Sequence, residues 1–71
     1  MEVLVFKTSV TEQSQVSRVL SLLTSFADIK HVSFDLEDCD NVLRIVCNNS
    51  SPRQIESLIN SLGLSCSELK D

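Results

Sequence analysis

The feature that most constrains this chain is the order in which its apolar period changes. Val3-Leu4-Val5-Phe6 is a short apolar run rich in β-branched residues, as strands are. Val16, Val19, Leu20, Leu23 and then Phe26 or Ala27 recur at the i, i+3, i+4, i+7 spacing of one helix face. Val32, Phe34 and Leu36 alternate with Ser33 and Asp35, the period of a strand with one solvated face. Val42–Cys47 forms a third strand, with Leu43 and Ile45 on one side and Arg44 on the other. Ile55, Leu58, Ile59 and Leu62 return to the helical period, and residues 64–69 form a weaker final strand. The order is β-α-β-β-α-β.

Local signals set the boundaries. Thr11 is a suitable N-cap for the first helix, with Glu12 in the first turn at the positive end of the helix dipole. Residues 38–41 favour a turn, so the second and third strands pair as a hairpin. Ser51-Pro52-Arg53-Gln54 starts the second helix, with Ser51 as cap, Pro52 in the first turn and Gln54 closing a capping box. Gly63 at the C′ position ends it in a left-handed turn. Right-handed crossovers then put both helices on one face of an antiparallel sheet of order 4-1-3-2. The expectation is a single α+β domain over residues 1–71, a ferredoxin-like two-layer sandwich. Both parities of the first strand are apolar. Either Leu4 and Phe6 or Val3 and Val5 therefore belong to the open sheet face.

Charge and length exclude several functions. Six basic residues against ten acidic ones give a net charge of −4, and the basic residues are scattered. Nucleic acid and anionic membranes need a basic stripe, so neither is an expected partner. No apolar run approaches the roughly 20 residues of a spanning helix. Glu2 stands where a signal peptide wants bases, so the expected location is cytoplasmic. Asn48 and Asn49, each in a glycosylation-type triplet, are read as turn residues.

The cysteines, Cys39, Cys47 and Cys66, are odd in number and separated by 8 and 19 residues. They match neither a disulfide framework nor the close pairs of zinc sites. The expectation is three reduced thiols that do not converge. His31 is the single histidine, expected exposed just before the second strand. Asp35, Glu37, Asp38 and Asp40 read as a solvated hairpin tip that lacks the spacing of an EF-hand loop. No motif places a base beside a nucleophile, so enzymatic activity is not expected.

The stretch Ile29-Lys30-His31-Val32-Ser33-Phe34-Asp35-Leu36-Glu37 is similar to the second strand of the heavy-metal-associated domains, "GV-x-x-V-x-V-D-L". Residues 51–64 resemble their second helix and closing "A-G-Y", with Leu64 at the tyrosine position. This resemblance runs from about Val3 to Leu69. It implies the fold of small copper and mercury chaperones and of the N-terminal modules of metal-pumping ATPases. That family grips metal with M-x-C-x-x-C between the first strand and first helix. Counting back without a gap from Asp35 places this loop on Val10-Thr11-Glu12-Gln13-Ser14-Gln15. Val10 takes the methionine position, and Glu12 and Gln15 take the cysteine positions. The resemblance thus implies a degenerate member without its metal motif.

A soft ion such as Cu(I) selects thiolates. One carboxylate and one amide do not replace them, and Gln15 is read as a solvated side chain. No cofactor and no metal ligand are expected. The expected function is a non-enzymatic binding or regulatory module acting through a protein partner or self-association. Its expected contacts are Val10, Thr11, Glu12, Gln13 and Gln15, within the 9–15 loop that the family uses to meet partners, together with the open sheet face. The alternatives are a metal-binding or metal-transport accessory protein with an atypical site, and a small-ligand sensor of the ACT kind. An ACT-like reading lacks its glycine before the first helix. Acylphosphatases share the topology but need a longer chain and an Arg-containing anion loop.

Overall fold

A strand shows alternate residues to opposite faces, and burial along the first strand settles which set faces the helices. In the computed structural model, which describes residues 1–37 and 39–69, Leu4, Phe6 and Thr8 are buried, whereas Val3 and Lys7 are exposed. Val3 and Val5 therefore occupy the open face. The elements are β1 (Glu2–Thr8), α1 (Gln13–Leu23), β2 (Ile29–Asp35), β3 (Val42–Cys47), α2 (Pro52–Asn60) and β4 (Cys66–Glu68). The sheet has the expected order, β2-β3-β1-β4, with every neighbouring pair antiparallel. This is the ferredoxin-like arrangement.

Register builds the core in rows. Phe6 lies opposite Leu43, which lies opposite Phe34. Leu4 lies opposite Ile45, which lies opposite Val32. A one-residue slip would turn each row to solvent. Val19 and Leu23 of α1 and Ile55 and Ile59 of α2 join the same cluster, so both helices cover this face. Phe6, Leu23, Leu43, Ile45 and Ile59 are fully enclosed, each contributing about 1.5–3 kcal/mol of burial free energy. Among the described residues, no helix is long and apolar enough to cross a membrane.

Several boundaries differ from expectation for local reasons. β2 begins at Ile29, and a register shift between Ile29 and His31 lets Lys30 bulge. His31 is therefore an exposed residue within the strand rather than before it. Leu36 falls in the turn that follows. α1 stops at Leu23, where Thr24 and Ser25 hydroxyls donate to the carbonyls of Leu20 (2.7 Å) and Leu22 (2.6 Å). Phe26 is half-buried beyond it. Ser51 has the extended backbone of an N-cap, and Pro52 opens α2 as expected, but the Ser51 side chain makes no capping hydrogen bond. The expected capping box with Gln54 is not part of this helix start. β4 has three residues rather than six, although in-register bonds from the Ser9 N–H to the Ser65 carbonyl and from the Leu69 N–H to the Val5 carbonyl flank it. Asp38 lies outside the described residues.

Gly63 has φ +82°, and Asn41 and Asn49 have φ 49° and 58°. The glycine stands two residues past the C-cap, Ser61, and donates its N–H to the Asn60 carbonyl at 2.9 Å. No atom lies within 4 Å of where its Cβ would be. Gly63→Ala therefore meets conformational strain without a clash. It is expected to destabilise by about 1–2 kcal/mol, read in urea denaturation as a lower midpoint with an unchanged slope.

Candidate functional site

The segment between β1 and α1 is anchored from three directions. Thr8, in phase with Leu4 and Phe6, is buried, and its Oγ1 donates to the Asn41 carbonyl at 2.7 Å. The same oxygen accepts the Val10 N–H at 3.2 Å, and the Thr8 N–H donates to the Asp40 carbonyl at 3.2 Å. Ser9 ties the segment to the turn before β4: its N–H donates to the Ser65 carbonyl (3.2 Å), and its Oγ accepts the Ser65 N–H (2.9 Å). Val10 then enters the core with no exposed surface. The sequence reading placed Val10 among the partner contacts. The structure corrects this, because a side chain enclosed by the core offers nothing to a partner.

Thr11, Glu12 and Gln13 are exposed, and Gln15 is half-buried. The N-cap of α1 is Glu12 (φ −121°, ψ 151°), one residue later than expected. Glu12 and Gln15 form a capping box, in which Gln15 Oε1 accepts the N–H groups of Thr11 at 2.8 Å and Glu12 at 3.1 Å. The Glu12 carbonyl accepts the N–H groups of Gln15 and Val16, both at 3.1 Å. Gln15 is thus a capping side chain rather than a solvated one. Its amide oxygen already accepts from two backbone donors, the N-cap N–H and the one before it. The Glu12 carboxylate sits near the positive end of the α1 dipole. Together they leave the loop with one hard oxygen group, suited to hydrogen bonds and partner charges more than to a soft ion.

The cysteines stand elsewhere. Cys47, buried, lies opposite Glu2 at one end of β1, and Cys66, buried, lies opposite Thr8 at the other. At about 3.4 Å per residue, the intervening length of β1 separates them by roughly 20 Å. Cys39 is exposed in the β2–β3 turn. Among the described residues, no three His, Cys, Asp or Glu side chains are gathered as a metal-holding group. Burial, with the negative Glu56 adding to it, pushes the Cys66 thiol up to about 12. Glu56 Oε2 meanwhile accepts the Glu68 N–H at 2.8 Å. Asp40 approaches Lys7 at 3.7 Å on the surface, where such a pair is worth little.

The Thr8 and Ser9 anchors were missed in the sequence. The available signal was parity, since Thr8 continues the inward alternation of Leu4 and Phe6.

No protein-family model matches the chain, and no curated protein matches it in sequence. Solved structures do match it in fold. One is a complex of Atx1, Cu(I) and Ccc2a, at 15% identity and TM-score 0.87, covering 100% of this chain and 99% of that one. A second is the copper(I)-loaded first domain of the human copper chaperone for superoxide dismutase, at 23% identity and TM-score 0.78, covering 93% and 89%. A third is the N-terminal domain of ZntA in its Zn(II) form, at 19% identity and TM-score 0.75, covering 96% and 92%. The fold of this chain is therefore that of the heavy-metal-associated domains.

Two measurements follow from this geometry. Gln15→Ala removes the acceptor of two N–H groups and is expected to cost about 1 kcal/mol, with faster amide exchange in the first turn of α1. Folding raises the Cys66 pKa, so the stability linked to its neutral thiol is present below the unfolded value near 9. It is lost as pH rises from about 9 toward 12. Urea midpoints are expected to fall more steeply across that window in the native protein than in Cys66→Ala.

Proposed function

We propose that this chain is a non-enzymatic binding module that meets a protein partner at the start of α1, through Thr11, Glu12, Gln13 and Gln15. The observation that carries this reading is the Gln15 amide oxygen closing the helix start on the Thr11 and Glu12 N–H groups. It makes the loop a rigid surface, anchored behind by Thr8, Ser9 and Val10. The Atx1–Cu(I)–Ccc2a complex supports a protein partner for this fold. A non-enzymatic role is supported by the separation of Cys47 and Cys66 at opposite ends of β1 and by the buried Cys66 thiol being held neutral, which suits it poorly to act as a nucleophile. The cytoplasm is the proposed setting, since a reducing compartment keeps thiols free.

A second reading is favoured by the comparisons, whose matched structures are named for copper and zinc. In it, the chain is a metal-transport accessory protein with an atypical site. The fold speaks for this reading, and the donor set of the loop speaks against it.

Titration of the reduced, isotope-labelled protein with Cu(I), and separately with Zn2+, distinguishes the two. The expected result is no stoichiometric amide shift at Glu12–Gln15 or at the cysteines. Shifts there that saturate at one equivalent would overturn the first reading in favour of metal traffic.

A further inference from the structure

β2 is an edge strand, paired with β3 on one side only. The backbone groups along its other side have no strand partner, and such an edge is a template for an added strand. The bulge at Lys30 ends the regular edge, leaving residues 31–35 as its extended part. Beside it runs a groove of about 410 Å³ between α1 and β2. Val16, Leu20, Val32, Phe34 and Leu36 line it, and all five are half-buried. Val16, Val32, Phe34 and Leu36 pack against the core on their inner side and leave their outer side to the groove. Asp35 and Glu37 are exposed in the groove wall. Among the described residues, no Lys, Arg or His lines the groove, and neither carboxylate has an ion pair.

We propose that this groove takes an extended segment of a partner protein that adds a strand to β2 and alternates apolar with basic side chains. Strand addition draws affinity from main-chain hydrogen bonds and specificity from alternate side chains. Every second side chain of the added strand faces the helix side, where Val32, Phe34, Val16 and Leu20 line the groove. The intervening ones face the opposite side, where Asp35 stands in register with Val42 and Ser33 with the exposed Arg44. The first set is matched by apolar groups, and the second by positive charge at the end of the edge where Asp35 and Glu37 stand. A second copy is the poorer occupant, because it brings the same acidic wall and a net charge of −4 to an acidic groove. The inference goes beyond the loop reading. Gln13 is shared by the two surfaces, and the others are distinct.

The test is titration of the reduced, isotope-labelled full chain with the peptide acetyl-Lys-Val-Lys-Val-Lys-Val-amide, and with the same peptide carrying Glu for Lys. The expected result is saturable amide shifts at Val16, Leu20 and residues 32–37 with the lysine peptide. Binding is expected to be about tenfold weaker with the glutamate peptide and in the Asp35→Asn, Glu37→Gln double variant. Both positions are exposed, and an unchanged amide spectrum elsewhere verifies that the variant is folded. Absence of saturation at millimolar peptide overturns the proposal, as does equal binding of the two peptides. Shifts at residues 32–37 that grow with protein concentration alone assign the groove to a second copy and also overturn it. Shifts confined to residues 11–15 sink the groove while leaving the loop reading standing.

Discussion

A single apolar layer between one sheet face and two helices holds this protein together. A chain of 71 residues encloses a smaller fraction of its surface than a larger domain does, so the layer has little redundancy. The rows Phe34–Leu43–Phe6 and Val32–Ile45–Leu4 set the register of the three longer strands. Val19, Leu23, Ile55 and Ile59 close over them. Once those rows are in place, Thr8 is directed inward beside Phe6, and the chain leaving β1 is delivered to the start of α1. The layer also determines what is left over. One sheet face carries Val3 and Val5 into solvent, and β2 keeps an unpaired edge.

The start of α1 follows from the same constraint. Parity buries Thr8, whose hydroxyl both donates to Asn41 and accepts from Val10. Val10 is drawn into the core two residues later. With Ser9 held by Ser65, little freedom remains before Glu12. A helix N-terminus leaves N–H groups in need of acceptors, and the Gln15 side chain supplies one for the N-cap Glu12 and for Thr11 just before it. Related folds are named for copper and zinc, whereas this chain uses Glu12 and Gln15 to finish its own helix. The fold and the side chains of the loop thus carry separate information. The first is common to metal-handling domains, and the second is local to this chain.

Much of the architecture was legible because it rests on periodicity. The alternation of Val32 and Phe34, the helical stripe from Val16 to Leu23 and the Pro52 and Gly63 boundaries each report a local physical preference. Strand order followed from crossover handedness. What was not legible depended on tertiary partners. The first strand is apolar on both sides, so its inward face is decided by α1 and α2 and not by its own residues. Thr11 has the better capping chemistry, yet the N-cap falls to Glu12, because the Gln15 side chain reaches back to it. Ser51 has good capping chemistry, yet its side chain makes no capping bond at α2. Val10 looked like a loop residue because nothing local marks it as core. The α1/β2 groove was hidden for a related reason, since half-burial of Val16 and Phe34 depends on strand β2 being at the edge.

The central claim is that the α1 start is closed by its own side chains and is not an open grip for a soft metal. Amide hydrogen exchange at Thr11 and Glu12, followed with and without one equivalent of Cu(I), tests it most directly. The account predicts measurable protection of both amides, unchanged by the ion. Exchange at the rate of an unstructured chain, or protection that Cu(I) abolishes, would contradict it.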